Sequence, residues 1–310
     1  MQLKTLFLAV LLTALGSTPV TAAAAEPGKE NSLVPVAVVQ KHLDGYSPEE
    51  VTLIQADLKH IRALSFLTAK KVAGSKKQYV GTAGSPGAGK STTLEIYMQD
   101  TLKGAPGCVY VDPDQRALKF MSHTYGQEFT SFAWSTKLTP QDLGQRAYTK
   151  WRGGSNYIAN TLLNEAFEGG YDIAHGTTAT AKQVDELYQK LRSAGYEITL
   201  LLCGAADESR VNSLEHRAKV QSFCQVDPGD IVKKGEMFPE RFPVYFRYAD
   251  TILVYWFDGV HTGSTLAATL HKGQEPVIHN AEAFKHFTAQ YDKGRQGKNL
   301  PSLEELMRKF

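Results

Sequence analysis

The chain has little cysteine. Cys108, Cys203 and Cys224 are the only three in 310 residues, an odd, scattered set that argues against a disulfide framework and has no structural-zinc spacing. Neither charge is in excess: 34 Lys and Arg stand against 32 Asp and Glu, a formal net charge of +2. That balance gives no support for a surface built to track nucleic-acid phosphates. Beyond the first residues there is no apolar run near the roughly 18 residues that a membrane span needs. The remainder, 42% hydrophobic and 21% charged, is the composition of a globular chain rather than of a disordered polar one.

The first 25 residues stand apart. Lys4 is their only charge, Leu6 to Leu15 is apolar but for Thr13, and Pro19 leads through Val20-Thr21 into four alanines ending at Ala25. These are the three regions of a secretory signal peptide. The expected destination is therefore export, periplasmic or secreted or delivered into another cell, with no membrane contact after cleavage. Residues 26–75 read as an N-terminal helical segment. Ser47-Pro48-Glu49-Glu50 opens its helix with a capping side chain, a proline in the first turn and acids at the positive dipole end. Val51, Ile54, Leu58, Ile61, Leu64 and Leu67 then follow at helical spacing, up to Gly74.

From Lys76 short apolar runs alternate with long helical ones, the mark of an α/β fold with a parallel sheet. Five strands are expected: Gln78–Ala83, Cys108–Asp112, Tyr171–His175, Glu197–Cys203 and Thr251–Phe257. Helices are expected over Lys90–Leu102, Ala181–Ala194 and Glu208–Gln221, with a two-part helical segment across Pro140–Phe167. Residues 113–170 are too long for a plain crossover and read as a substrate-facing insertion in a core of residues 76–260. Residues 261–310 read as a C-terminal helical appendage, with a turn at Gly263 and a short strand at Pro276–Ile278.

Gly84-Ser85-Pro86-Gly87-Ala88-Gly89-Lys90-Ser91 matches the phosphate-loop pattern G-x-x-x-x-G-K-[ST]. It follows an apolar strand and opens an amphipathic helix, so backbone amides, continuing to Thr92, can surround a polyphosphate. Lys90 would reach the β- and γ-phosphates, and Ser91 would ligate Mg²⁺. No N-K-x-D guanine-reading element occurs, which disfavours a GTPase and leaves a small-molecule kinase using ATP or GTP with Mg²⁺. The P-loop kinase arrangement implies the strand order 2-3-1-4-5. Cys108 and Cys203 would then lie roughly 14 Å apart, too far for a disulfide.

The second strand ends in Asp112-Pro113-Asp114, beside the phosphate loop, where open α/β sheets place ligands. A kinase needs a carboxylate there to accept a hydroxyl proton or to organise Mg²⁺. Turn formation or helix capping by Asp114 is the plainer use of the same residues.

At this point the chain resembles the zeta-toxin family of bacterial P-loop kinases. The resemblance rests on the phosphate loop, the Asp112-Pro113-Asp114 turn, Gly170-Tyr171-Asp172 through His175-Gly176-Thr177-Thr178, Ala194-Gly195-Tyr196, an arginine-bearing helix with Arg210 and Arg217, and Ala249-Asp250 opening the last strand. It implies Asp114 as catalytic base, arginines of that helix at the phosphates, and a nucleotide-sugar or dinucleotide as acceptor. Asp112 would then support the loop or a Mg²⁺ water. Where the family tends to carry an acid that holds the acceptor, this chain has His175-Gly176.

Thr177 and Thr178 sit at a strand end where their hydroxyls could meet the acceptor, or could cap the next helix. His175 could bind substrate in place of the missing acid, or be a hydrogen-bonded structural residue. Arg210 and Arg217, two turns apart, share one helix face, and Arg152 is a further candidate for the substrate. Trp151-Arg152-Gly153-Gly154-Ser155-Asn156 reads as an interruption, with Ser155 or Asn156 capping the helix that follows. Lys233-Lys234-Gly235-Glu236 is a charge cluster or part of a lid. Two functions follow: an exported kinase moving the γ-phosphoryl group to a hydroxyl, or a catalytically impaired nucleotide-binding module of the same fold. A nucleotide-type small molecule is the expected partner, with an antitoxin or host partner unspecified.

Overall fold

The computed structural model describes residues 32–69, 76–100, 107–135, 139–220 and 228–310. The expected leader over residues 1–25, Gly74 and Cys224 lie outside the described residues. The chain runs through α1 (Val36–Lys41), α2 (Pro48–Phe66), β1 (Lys77–Ala83), α3 (Lys90–Asp100) and β2 (Cys108–Val111). A π-helical turn (Pro113–Ala117) and a 3-10 turn (Leu118–Phe120) lead to α4 (Tyr125–Ser135), α5 (Pro140–Gly169), β3 (Asp172–His175), α6 (Val184–Ser193) and β4 (Tyr196–Ala205). Then come α7 (Asp207–Val220), α8 (Pro228–Glu240), α9 (Phe242–Tyr248), β5 (Thr251–Gly259), β6 (Gly263–His271), β7 (Val277–Ile278), α10 (Ala281–Arg295) and α11 (Leu303–Lys309).

Seven strands form one sheet in the order β2-β3-β1-β4-β5-β6-β7. The first five are parallel in the expected order. Beyond the five core strands, the short strand expected at 276–278 is present as β7, and the strand not expected is β6, which returns antiparallel on β5 and carries β7 on its outer edge. β6 reads Gly-Ser-Thr-Leu-Ala-Ala-Thr-Leu-His, with few of the β-branched residues that announce a strand. Pairing with β5 and packing beneath α10 bury Ala267, Ala268 and Leu270. Residues 261–310 thus carry the expected helices, α10 and α11, and in addition extend the sheet through β6 and β7. Cys108 on β2 and Cys203 on β4 are free thiols, separated by β3 and β1.

Strand alternation builds two cores. Tyr79, Val109, Ile173, Ile198 and Leu200 pack with residues of α2, α5, α6, α9 and α10. Val80, Ala174, Leu201 and Cys203, on the opposite face, pack with Leu94 of α3. Burial on both faces explains the nearly continuous apolar runs of β1 and β4. At the N-terminal end of α2 the expected cap is present: Ser47 Oγ accepts from Glu50 N at 3.2 Å, and Glu50 Oε2 accepts from Ser47 N at 3.0 Å.

The expected two-part helix across 140–167 is one helix of 30 residues. Thr139 and Asp142 form a capping box at its start, and Gly170 ends it in the left-handed conformation, φ 68°. At the Gly153-Gly154 pair, where a break was expected, Tyr46 bridges the helical ladder. Its hydroxyl accepts from Gly154 N and donates to Lys150 O, groups four residues apart. Ser155 and Asn156 therefore cap nothing. Ser155 is buried within α5 and donates to Arg152 O. Among the described residues no helix is long and apolar enough to cross a membrane.

Candidate active site

The phosphate loop joins the buried end of β1 to the N-terminus of α3. Its shape depends on neighbours as well as on any ligand. Gly87 has φ +82°, and a Cβ there would stand 2.5 Å from the backbone oxygen of Arg210, so α7 packs directly on the loop. Lys90 Nζ donates to Ser85 O at 2.8 Å, folding the side chain back over its own loop. Burial pulls its pKa from 10.5 down to about 8; nearby Arg217 and Lys234 also lower it, while Cys203 and Asp112 act against this.

Beside the loop, β2 delivers Asp112. It is 5% exposed, and its Oδ1 accepts from Asp114 N and Gln115 N, both at 2.8 Å, capping the π-helical turn. The capping role considered for Asp114 thus belongs to Asp112. Its other oxygen, Oδ2, accepts from Ser91 Oγ at 3.3 Å. Burial raises the Asp112 pKa, against the hydrogen bond from Gln115 and the charge of Arg152. Hydroxyl and carboxylate are hard oxygen donors on one side of the phosphate position, so Ser91 and Asp112 fit Mg²⁺ completed by phosphate oxygens and water. Among the described residues no group of three or more His, Cys, Asp or Glu is placed to hold a metal unaided.

Asp114 projects from the first turn after Asp112 and is paired with Arg152 of α5, whose guanidinium also lies over the Tyr148 ring at 5.4 Å. The cleft of about 220 Å³ between these elements is lined by Pro86, Gly87, Gly89, Lys90 and Ser91 of the loop. Asp112, Asp114, Arg152, Asn156, Gly176, Thr177, Thr178, Arg217 and Lys234 line it as well. Gly84, Ser85, Ala88 and Thr92 contribute no lining; Gly84, Ser85 and Ala88 are buried in the loop, and Thr92 is exposed on α3.

Thr177 and Thr178 reach the cleft by way of Thr82. Its hydroxyl donates to Thr177 O at 2.7 Å and accepts from Thr177 N at 2.9 Å, tying the end of β3 to β1. Thr177 Oγ1 in turn accepts from Ala179 N at 3.1 Å. Arg217 faces the cleft; burial lowers its pKa, opposed chiefly by the charge of Asp112.

Two further expected contacts are not in the cleft. His175 points away from it, into the core. It shares a 2.8 Å hydrogen bond with Tyr79 Oη, and burial pulls its pKa down to about 4, so it stays neutral and structural instead of replacing an acid. Arg210 is 6% exposed and lies behind the loop, with Nη2 donating to Asp207 Oδ1 at 2.7 Å. Its Nε and Nη1 are buried without a partner. Arg210 and Arg217 do share a face of α7, but the first is covered by the loop and by Gly235 of α8. Asn156, expected as a possible cap, and Lys234, expected in a charge cluster or as part of a lid, both line the cleft. Asn156 follows Arg152 by four residues, so a continuous α5 would have pointed to it.

A parallel sheet in this order, a glycine loop opening a helix and an acid at the end of the neighbouring strand together define a P-loop phosphotransferase fold. The chain belongs to the zeta-toxin family: the sequence model described as "Zeta toxin" matches residues 65–234, more than half of its length. Members of that family are kinases. No curated protein sequence matches significantly. The AvrRxo1-ORF1:AvrRxo1-ORF2 complex with sulphate ions is similar in fold, with TM-score 0.57 and 14% identity over 83% of this chain and 78% of that one. The same complex with ATP gives 0.53 and 16%, over 87% and 78%. The PezAT chromosomal toxin-antitoxin system of the human pathogen Streptococcus pneumoniae gives 0.51 and 13%, over 85% and 98%. At these identities the likeness concerns the fold.

Proposed function

We propose that the chain is a Mg²⁺-dependent kinase that transfers the γ-phosphoryl group of ATP, or of GTP, to a hydroxyl of a nucleotide-sugar or dinucleotide. The observation that carries this reading is the Asp114–Arg152 pair in the wall of the phosphate cleft, with the Ser91–Asp112 pair in the same wall. The loop amides and Lys90 hold the donor phosphates, and Lys90 must leave Ser85 O to do so. Mg²⁺, held by Ser91 and Asp112, would supply charge neutralisation at the β- and γ-phosphates.

Asp114 takes the proton of the acceptor hydroxyl. A carboxylate bound to a guanidinium is a weak base, so Arg152 must first swing onto an anionic group of the acceptor, and proton transfer is thereby coupled to correct binding. Lys90, Arg152, Arg217 and Lys234 exceed Asp112 and Asp114 in charge along the lining, which suits a donor and an acceptor that both carry phosphate. Arg217 faces the position of the transferring group, where its planar charge opposes the developing negative charge.

Export by the N-terminal leader, and a toxin or effector role outside the producing cell, are part of the same proposal and rest on residues 1–25 alone. The PezAT and AvrRxo1 structures are complexes, of a toxin with its antitoxin and of ORF1 with ORF2, which motivates a proteinaceous inhibitor for this chain too. One observation favours the second reading, an impaired nucleotide-binding module: the chain has His175-Gly176 where the resemblance to the family implies an acid that holds the acceptor. Mass spectrometry of the mature protein with ATP, Mg²⁺ and a metabolite extract separates the readings. A product heavier by one phosphoryl group supports the kinase; its absence, with ATP bound or hydrolysed, supports the module.

A further inference from the structure

A second cavity, of about 270 Å³, lies between the C-terminal half of α2, α3, β2 and the π-helical turn. It shares no lining residue with the phosphate cleft. Three of its lining side chains each bury a polar atom that has no hydrogen-bond partner: Ser65 Oγ, Tyr110 Oη and Arg116 Nε. Ser65 is 3% exposed. Only six buried side-chain atoms without a partner occur among the described residues, and half of them meet here. A buried polar group without a partner costs about 1–3 kcal/mol, so three converging on one cavity mark a place where a ligand supplies the missing bonds.

The chemistry of the wall specifies the ligand. Arg116 brings a guanidinium, whose fork matches a carboxylate or a phosphate group, and the Ser65 and Tyr110 hydroxyls can donate to the same anion. The wall also holds Glu95, whose pKa is raised by burial, and Gln99, which suit the uncharged, donor-bearing end of a small molecule. We propose that this cavity is a regulatory site for a small anionic metabolite carrying one carboxylate or phosphate group, with Arg116 as its counter-ion.

The link to the first site is short and covalent. Tyr110 lies two residues before Asp112, and Arg116 N donates to Asp112 O at 3.0 Å. Asp112, Glu95 and Arg116 all act electrostatically on the Tyr110 hydroxyl, and it lies close enough to the Asp112 carboxylate to interact with it directly, though without good hydrogen-bond geometry. An anion drawn to Arg116 therefore pulls on the same turn that places Asp112 against Ser91 and Asp114 against Arg152.

Cys108, in the wall of the cavity, gives a local readout. The rate of its alkylation by iodoacetamide, followed by peptide mass spectrometry at a fixed alkaline pH, is measured with acetate and with inorganic phosphate. At saturation at least one anion is expected to slow the reaction roughly threefold or more, and which one does so tells carboxylate from phosphate. The protection should vanish in Arg116→Gln and weaken in Tyr110→Phe, a variant that removes one hydroxyl and keeps the ring. It should persist in Lys90→Ala, where the phosphate loop is disabled. No protection by either anion, full protection in Tyr110→Phe, or its loss in Lys90→Ala would each overturn the proposal. The last outcome would trace the effect to the phosphate loop.

Discussion

A Cβ on Gly176 would stand 2.1 Å from Asp112 Oδ2. The residue cannot step aside, because Gly176 N donates to Val111 O at 2.8 Å and so fixes the end of β3 against β2. Glycine at this position is thus a steric requirement of this chain: the space belongs to the Asp112 carboxylate. Gly176→Ala should push Asp112 off Ser91 and off the turn amides. Overpacking of this kind costs about 1–3 kcal/mol, and an ångström of misplacement can cost roughly 10²-fold in rate. A lowered melting temperature together with a loss of transfer is expected. An alanine variant that melts and turns over like the parent would remove the steric account.

The same pair shows what the sequence could and could not reveal. The phosphate loop, the five parallel strands and the acids after β2 were legible because each is a local pattern: glycines before a helix, apolar runs, carboxylates at a strand end; the order of those strands came from the P-loop kinase arrangement that the loop implies. What escaped depends on partners far along the chain. Nothing near His175 says that Tyr79 will turn it inward, and nothing near Gly153 says that Tyr46 will carry α5 through its glycines. β6 exists because β5 lies beside it, and Arg210 is covered because the loop folds over α7.

Tyr46 offers a direct check on the continuity of α5. Tyr46→Phe keeps the ring stacked on Trp151, whose centroid is 5.5 Å away, and deletes only the hydroxyl that joins Gly154 N to Lys150 O. Loss of these bonds should lower stability by about 1–3 kcal/mol, read as a shifted denaturant midpoint with the slope unchanged. Because Arg152 and Asn156 flank the bridge, acceptor KM should rise more than that for ATP. A variant with unchanged stability would mean that the helix continues without the bridge.

Lys90 makes nucleotide binding pH-dependent in a stated direction. Its pKa in the ligand-free chain is about 8, below the ordinary lysine value, so the unfolded chain binds the more protons between about pH 8 and 10.5. Stability of the ligand-free protein should therefore gain from this group as pH rises through that window. A bound polyphosphate reverses the preference by favouring the charged amine, so ATP binding near pH 8.5 should take up a proton and weaken as pH rises further. Calorimetry in buffers of differing ionisation enthalpy measures the uptake, and Lys90→Ala should abolish both uptake and transfer. Uptake equal in parent and variant would assign the proton to another group.

The division of labour between the two aspartates is the sharpest test of the mechanism. Asp114 meets Arg152 in the wall of the cleft, while Asp112 holds Ser91 and the turn amides. Asp114→Asn keeps size but cannot take a proton, so kcat should fall by roughly 10²–10⁴ with ATP affinity nearly unchanged. Asp112→Asn can still accept the two amide bonds but loses charge beside Ser91, so its defect should be partly relieved by raised Mg²⁺. Arg152→Gln frees the base and removes the anion contact at once. It should therefore raise acceptor KM strongly, and kcat at saturating acceptor should fall less than in Asp114→Asn. If Asp114→Asn turned over normally while Asp112→Asn were dead and insensitive to metal, the roles would be exchanged. If both retained full activity, proton transfer would not pass through this turn, and a base elsewhere in the cleft would have to be sought.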